Sequence, residues 1–196
     1  MDLSDIFEED IIQDYSNKIC HHSRIGADVI KNYLADLEKD ETSKRELGAT
    51  EYCEILLEFV FFLLHFTDRC IFWEIVGLGY MNEEERDILM MELEERCINS
   101  AVDYGFFGLA ESPKHKIKDL SFENFNIRIK EYSKYKKNFP DKDEGLRDTL
   151  FWEFSKNVAK FVGREPDPVL KLICTKVAVG ALVDLDPKSS IKKLKR

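Results

Sequence analysis

From Glu51 to Val76 the chain reads EYCEILLEFVFFLLHFTDRCIFWEIV, apolar around most of a helical circumference and polar along one narrow strip. At about 100° per residue, Glu54, Glu58, His65, Asp68 and Arg69 fall within one sector about 100° wide. Phe62, Ile55, Trp73, Phe59, Leu63, Leu56, Val60 and Leu57 fill most of the remaining arc. A helix with so broad an apolar surface is one that other helices surround. The pattern therefore predicts a central helix over 51–76.

Helical spacing recurs on both sides of it. Ile12, Tyr15, Ile19, Ile30, Tyr33, Leu34 and Leu37 predict a first helix from about Ser4 to Glu38, with a break expected near His22–Gly26. The charged stretch LEKDETSKRELG reads as a connection, Thr50 as the cap of the central helix, and Gly77–Gly79 as its stop. Asn82 with Glu85 has the capping-box spacing and starts a third helix to about Ala110, with Glu92, Glu95, Arg96, Asn99 and Asp103 on one side. ESPKHKIKDL reads as a basic linker, after which Ser121 caps a fourth helix striped by Phe122, Phe125, Ile129 and Tyr132 and stopped by Pro140.

A fifth helix is predicted over Gly145–Val162, with Leu150, Phe154, Val158 and Phe161 on one face. Asp167 and Pro168 give a cap and first-turn proline for a sixth, which ends at DLDPKSS. Its run VAVGALV is apolar all round and predicts burial. No strand pattern or internal repeat competes with these elements. The expected fold is all-α: a single-domain bundle of about six helices, residues 1–187, around the helix over 51–76. A basic tail, 188–196, follows and is expected to be mobile.

Composition narrows the class. With 196 residues, 44% hydrophobic positions, 5 Pro and 9 Gly, the chain has the profile of a packed globular domain. Its net charge of −9 is unevenly spread. Residues 1–111 carry 26 Asp and Glu against 9 Lys and Arg, a net of −17, and residues 112–196 carry 12 against 20, a net of +8. Attraction between the two halves within one fold accounts for this without an outside partner. Five cysteines with no CxxC pair do not form a disulfide framework, and a reducing cytoplasm is the expected location. MDLSDIFEED lacks the basic and apolar regions of a secretory signal. The most apolar run, Ile55–Phe66, contains Glu58 and is short of the roughly 20 residues a membrane span needs, so no membrane partner is expected.

The polar strip is where chemistry would lie, because a buried charge costs several kcal/mol unless it is paired. Phe61 and Phe72 fall in the same sector, and two large aromatics on a strip facing water argue that something covers it. The candidate ligand or interface residues are Glu58, Phe61, His65, Asp68, Arg69 and Phe72. His65 and Asp68, at i and i+3, are the residues that could share a metal ion. Glu58 lies about 10 Å further along the axis, and the charge of Arg69 opposes a cation there. The paired Glu-x-x-His motif of di-iron bundles is missing. No metal or cofactor is expected.

Other constellations are weaker. Adjacent helical residues point about 100° apart, so Cys20, His21 and His22 do not make a local nucleophile–base pair. There is no phosphate-binding GxxxxGK and no GxSxG. Lys130, Lys134, Lys136 and Lys137 interleave with Tyr132 and Tyr135 and are the candidates for nucleic-acid contact. An acidic chain without a recognised motif favours a solvated helix face instead. The expectation is a non-catalytic protein acting through helix-mediated association, as a homodimer. The alternatives are a bundle enzyme or sensor holding a metal or small ligand near His65 and Asp68, and nucleic-acid contact through 114–137 and the tail.

Overall fold

The first helix carries its small residues where it crosses the centre of the molecule. Ser16, Ser23, Gly26 and Ala27 are all buried on α1 (Glu9–Leu37), beside Ile12, Tyr15, Ile19 and Ile30. The computed structural model describes residues 7–37, 47–105, 114–136 and 148–193. Within them α1 is unbroken, contrary to the interruption expected near His22–Gly26. Gly26 serves close packing: a Cβ built there would lie 2.6 Å from Cε1 of Phe59. Gly26→Ala should therefore lower the thermal midpoint. Overpacking costs about 1–3 kcal/mol and outweighs the roughly 1 kcal/mol that alanine gains over glycine in a helix. An unchanged or higher midpoint would show that the Phe59 ring can move aside.

The central helix is α2 (Ala49–Ile71), and it packs against every other helix of the described residues. Its start differs from expectation. The N-cap is Gly48, not Thr50, and the Glu51 carboxylate accepts from the Gly48 N–H at 2.9 Å. Its end also differs. The last turn, Phe72–Val76, is π-helical, with the Gly77 N–H donating to the Phe72 carbonyl at 3.1 Å. Gly79, at φ 75°, completes the stop.

Asn82 and Glu85 form the expected reciprocal box, at 2.8 and 2.9 Å, and open α3 (Glu83–Gly105). The expected continuation to Ala110 lies outside the described residues. Helix α4 (Lys114–Tyr132) begins inside the stretch expected to be a linker, and Ser121 is buried within it rather than capping it. After Pro113 that stretch holds no glycine or proline, and lysine is a good helix former. The expected stop at Pro140 lies outside the described residues, and α4 ends earlier, at Tyr132.

α5 (Leu150–Phe161) starts later than Gly145 because Thr149 caps it, accepting from the Trp152 N–H at 3.2 Å, just after Asp148 at φ 63°. α6 (Pro168–Leu185) has the expected start, with Asp167 accepting from the N–H groups of Val169 and Leu170. It is not enclosed, however. Leu170, Cys174, Ala178 and Leu185 face the core, whereas Val169, Leu172 and Val183 are exposed. An apolar run without a polar face gives no indication of which side packs. Asp186, at φ 38°, then caps α7 (Pro187–Lys192), so the segment expected as a tail opens with a short helix whose Ile191 is buried.

The architecture is the expected single-domain all-α bundle. Phe62 of α2 holds its middle, with ring centroids 5.0 Å from Phe151 and 4.4 Å from Phe154 of α5 and 6.1 Å from Tyr132 of α4. Tyr15 of α1 and Thr67 of α2 share a buried hydrogen bond at 3.0 Å. Among the described residues no helix is long and apolar enough to cross a membrane.

Candidate functional site

The middle of the strip on α2 is covered by another helix of the same chain. α4 lies over it, and Phe61 is buried with its ring 5.5 Å from Phe125. Glu58 is buried beside it. Its Oε1 accepts from the Tyr132 hydroxyl and, at 2.9 Å, from Nδ2 of Asn157, while Oε2 accepts from Nε of Arg128 at 2.9 Å. Arg128 also donates to Glu131 at 2.5 Å. Burial pushes the Glu58 carboxyl up, and the Arg128 charge with the three hydrogen bonds opposes that push. The arrangement is a satisfied polar lock between α2, α4 and α5. Every partner stabilises the carboxylate, and both of its oxygens accept hydrogen bonds.

His65 has no polar partner among the described residues at either ring nitrogen. It is 4% exposed, and its ring centroid lies 5.7 Å from that of Tyr132. Burial, together with the Arg69 charge, lowers its pKa to about 4, so the ring is neutral at pH 7. Asp68 does not join it. Both Asp68 oxygens accept from Arg86 of α3, from Nε at 2.7 Å and from the second guanidinium arm at 2.9 Å. Arg69 turns away to donate to the carbonyls of Tyr135 and Lys136, at 2.7 and 2.8 Å, just past the end of α4. Glu54 is exposed. The strip thus divides into a solvated start, a covered middle and an end bound to α3 and α4. Asp68, held on both oxygens by a guanidinium, is poorly placed to share an ion with His65.

Phe72, the last strip residue, leads to a different surface. Its ring lies 5.3 Å beneath the Arg86 guanidinium and 5.4 Å from the Trp73 ring. Phe72 is 38% exposed, Trp73 70%, Leu78 62% and Tyr80 53%. Four large apolar side chains within nine residues therefore face outward from the π-helical turn and the glycine turn after it. Exposed Glu83 and Glu84 follow on α3, and the Lys192 ammonium of α7 sits 4.9 Å over the Tyr80 ring. Comparison with known proteins finds no matching family model, curated protein or solved structure. The site must be judged on its own chemistry.

A cleft of about 630 Å³ opens between α1, α2 and α3, lined by Asp28, Lys31, Tyr52, Asp103 and Tyr104. It contains no residue of the strip, its Tyr52 hydroxyl is spent on Asp28 at 2.8 Å, and Asp103 pairs with Lys118 at 3.6 Å. Lys130, Lys134 and Lys136 are exposed on and beyond α4, while Lys137 lies outside the described residues. The aromatic half of that pattern is spent inward: Tyr132 is buried on Glu58, and the Tyr135 hydroxyl donates to Glu153 at 2.9 Å. These lysines therefore present charge without the stacking rings a nucleic-acid surface uses.

Arg86, Arg128 and Asn157 complete the strip but were not among the sequence candidates. The local signal for them was one-sided: a core-facing Glu58 and Asp68 require donors, without specifying which. Trp73 sat on the apolar arc of an ideal helix. It lies in the π-helical last turn and is exposed there.

Proposed function

We propose that this protein acts by association rather than catalysis, as a homodimer joined through Phe72, Trp73, Leu78 and Tyr80. The observation that carries the reading is the exposure of those four side chains together. Contiguous exposed apolar patches on a folded surface mark contact sites, and tryptophan and tyrosine are the residues most enriched where binding energy concentrates. A second copy fits the border of the patch. Acidic Glu83 and Glu84 and basic Lys192 flank the same aromatics, and a two-fold contact that brings one group onto the other would pair them twice. The covered middle of the strip supports a structural rather than chemical use of its charges. A cytoplasmic location fits the five free cysteines.

The exposed ridge of α6 supplies the control for the test. Trp73→Ser should weaken self-association at least about tenfold, equivalent to about 1.4 kcal/mol, in sedimentation experiments. Leu172→Lys, on the α6 ridge, should leave it unchanged. Dissociation by Leu172→Lys with no effect of Trp73→Ser would move the contact to α6 and overturn the assignment.

A further inference from the structure

Helices α1 and α3 bring two thiols together at their crossing. Sγ of Cys20 lies 3.8 Å from the carbonyl oxygen of Cys97, and Sγ of Cys97 lies 3.7 Å from the carbonyl oxygen of Ser16, one turn before Cys20. Each sulfur is thus seated against the backbone of the other's helix. Their access differs. Cys97 is fully buried, whereas Cys20 is partly exposed and lines a cavity of about 280 Å³ with His21, Arg24, Ser100 and Tyr104. The Arg24 guanidinium is held 4.1 Å over the Tyr104 ring, which keeps a positive charge beside this cavity.

We propose that Cys20 and Cys97 form a hydroperoxide-reactive dithiol, in which Cys20 takes the oxidant from the cavity and Cys97 resolves it as a disulfide linking α1 to α3. The surroundings fit those roles. The neighbouring Cys97 thiol and Ser100 hydroxyl, with the charge of Arg24, lower the Cys20 thiol below its usual range. Burial raises that of Cys97. The thiolate is the reactive form.

In the first step the Cys20 thiolate attacks one peroxide oxygen and the O–O bond breaks. The second oxygen leaves with a proton as water or alcohol, the sulfur is oxidised to sulfenic acid, and the peroxide is reduced. In the second step the Cys97 sulfur attacks Sγ of Cys20. The S–S bond forms, the S–O bond breaks, and hydroxide leaves with the Cys97 proton as water. The other cysteines are placed differently. Cys53 donates to the Gly105 carbonyl at 2.7 Å, Cys174 is buried with its thiol raised to about 12, and Cys70 is partly exposed outside this cavity.

The test is intact-mass and peptide analysis of the wild-type protein after limiting hydrogen peroxide, denaturation and thiol alkylation. The expected product has lost two hydrogens and two alkylatable thiols, with the α1 peptide joined to the α3 peptide through Cys20 and Cys97. Cys97→Ser should instead accumulate sulfenic acid at Cys20, trapped by a 1,3-dione. Cys20→Ser should leave Cys97 reduced. Oxidation of wild-type Cys70 ahead of Cys20, or sulfinic acid at Cys20 without the cross-link, would overturn the proposal. The wild-type measurement alone decides it if a variant fails to fold.

Discussion

Glu58→Ala will lower the stability of the fold by about 3–5 kcal/mol, the range for removing one member of a buried charged network. The loss comes from what remains behind. The Tyr132 hydroxyl and the Asn157 amide are both buried and would lose their acceptor, and each unsatisfied buried group costs about 1–3 kcal/mol. Arg128 is cushioned, because it keeps Glu131 and reaches solvent. A domain of this kind has about 5–15 kcal/mol to lose, so the variant should unfold at a much lower denaturant concentration.

Glu58→Gln keeps an acceptor for Asn157 and Tyr132 and should lose less than half as much. Hydrogen exchange should show α4 loosening first, since α4 is the helix that the network ties to α2. A Glu58→Ala protein within about 1 kcal/mol of wild type would mean that apolar contacts alone, such as Phe61 on Phe125, hold α4 in place.

The second large effect is a dependence on acid. His65 has a folded-state pKa of about 4, below its ordinary value of 6.5. Above the ordinary value the ring is neutral whether the chain is folded or not, and its ionisation contributes nothing to the stability difference. As the pH falls through 6.5, unfolded chains take up a proton that the folded interior excludes. Stability is therefore lost progressively down to about pH 4, below which both forms are protonated and the loss is complete.

His65→Leu removes this term. Relative to its effect near pH 8, the substitution should stabilise the protein by about 2 kcal/mol near pH 5. Other groups titrate nearby. Burial, with the Asp68 charge, raises Glu94 to about 7, but Glu94 is present in both proteins and cancels in the comparison. Denaturation midpoints at the two pH values measure the difference directly. Equal effects of His65→Leu at both would show that water or a polar group reaches the ring.

Much of the fold was legible because its signals are local. The capping box at Asn82 and Glu85, the Asp167–Pro168 start and the apolar circumference of 51–76 each sit within a few residues of the structure they specify. Phe125 and Tyr132 were legible as a stripe for the same reason. The strip's partners were not. Glu58 meets Arg128 and Asn157, 70 and 99 residues further along the chain, and Asp68 meets Arg86 18 residues on. No period connects such positions.

Sequence also placed Thr50, Ser121 and Gly145 at helix starts, whereas α2 begins behind the Gly48–Glu51 contact, α4 at Lys114 and α5 behind the Thr149 cap. The aromatics that argued for a covered strip divide between two environments. Phe61 is covered by α4. Phe72 and Trp73 are exposed at the end of the helix, and an ideal helical projection carries no sign of where along the axis the covering helices stop.

If two copies associate through Phe72, Trp73, Leu78 and Tyr80, the wild-type protein has the mass of a dimer in solution. Sedimentation equilibrium across micromolar concentrations should give twice the 23.0 kDa of one chain, falling toward a single chain on dilution. A mass of 23.0 kDa at every concentration would contradict the dimer and leave Trp73 exposed for no purpose of self-association.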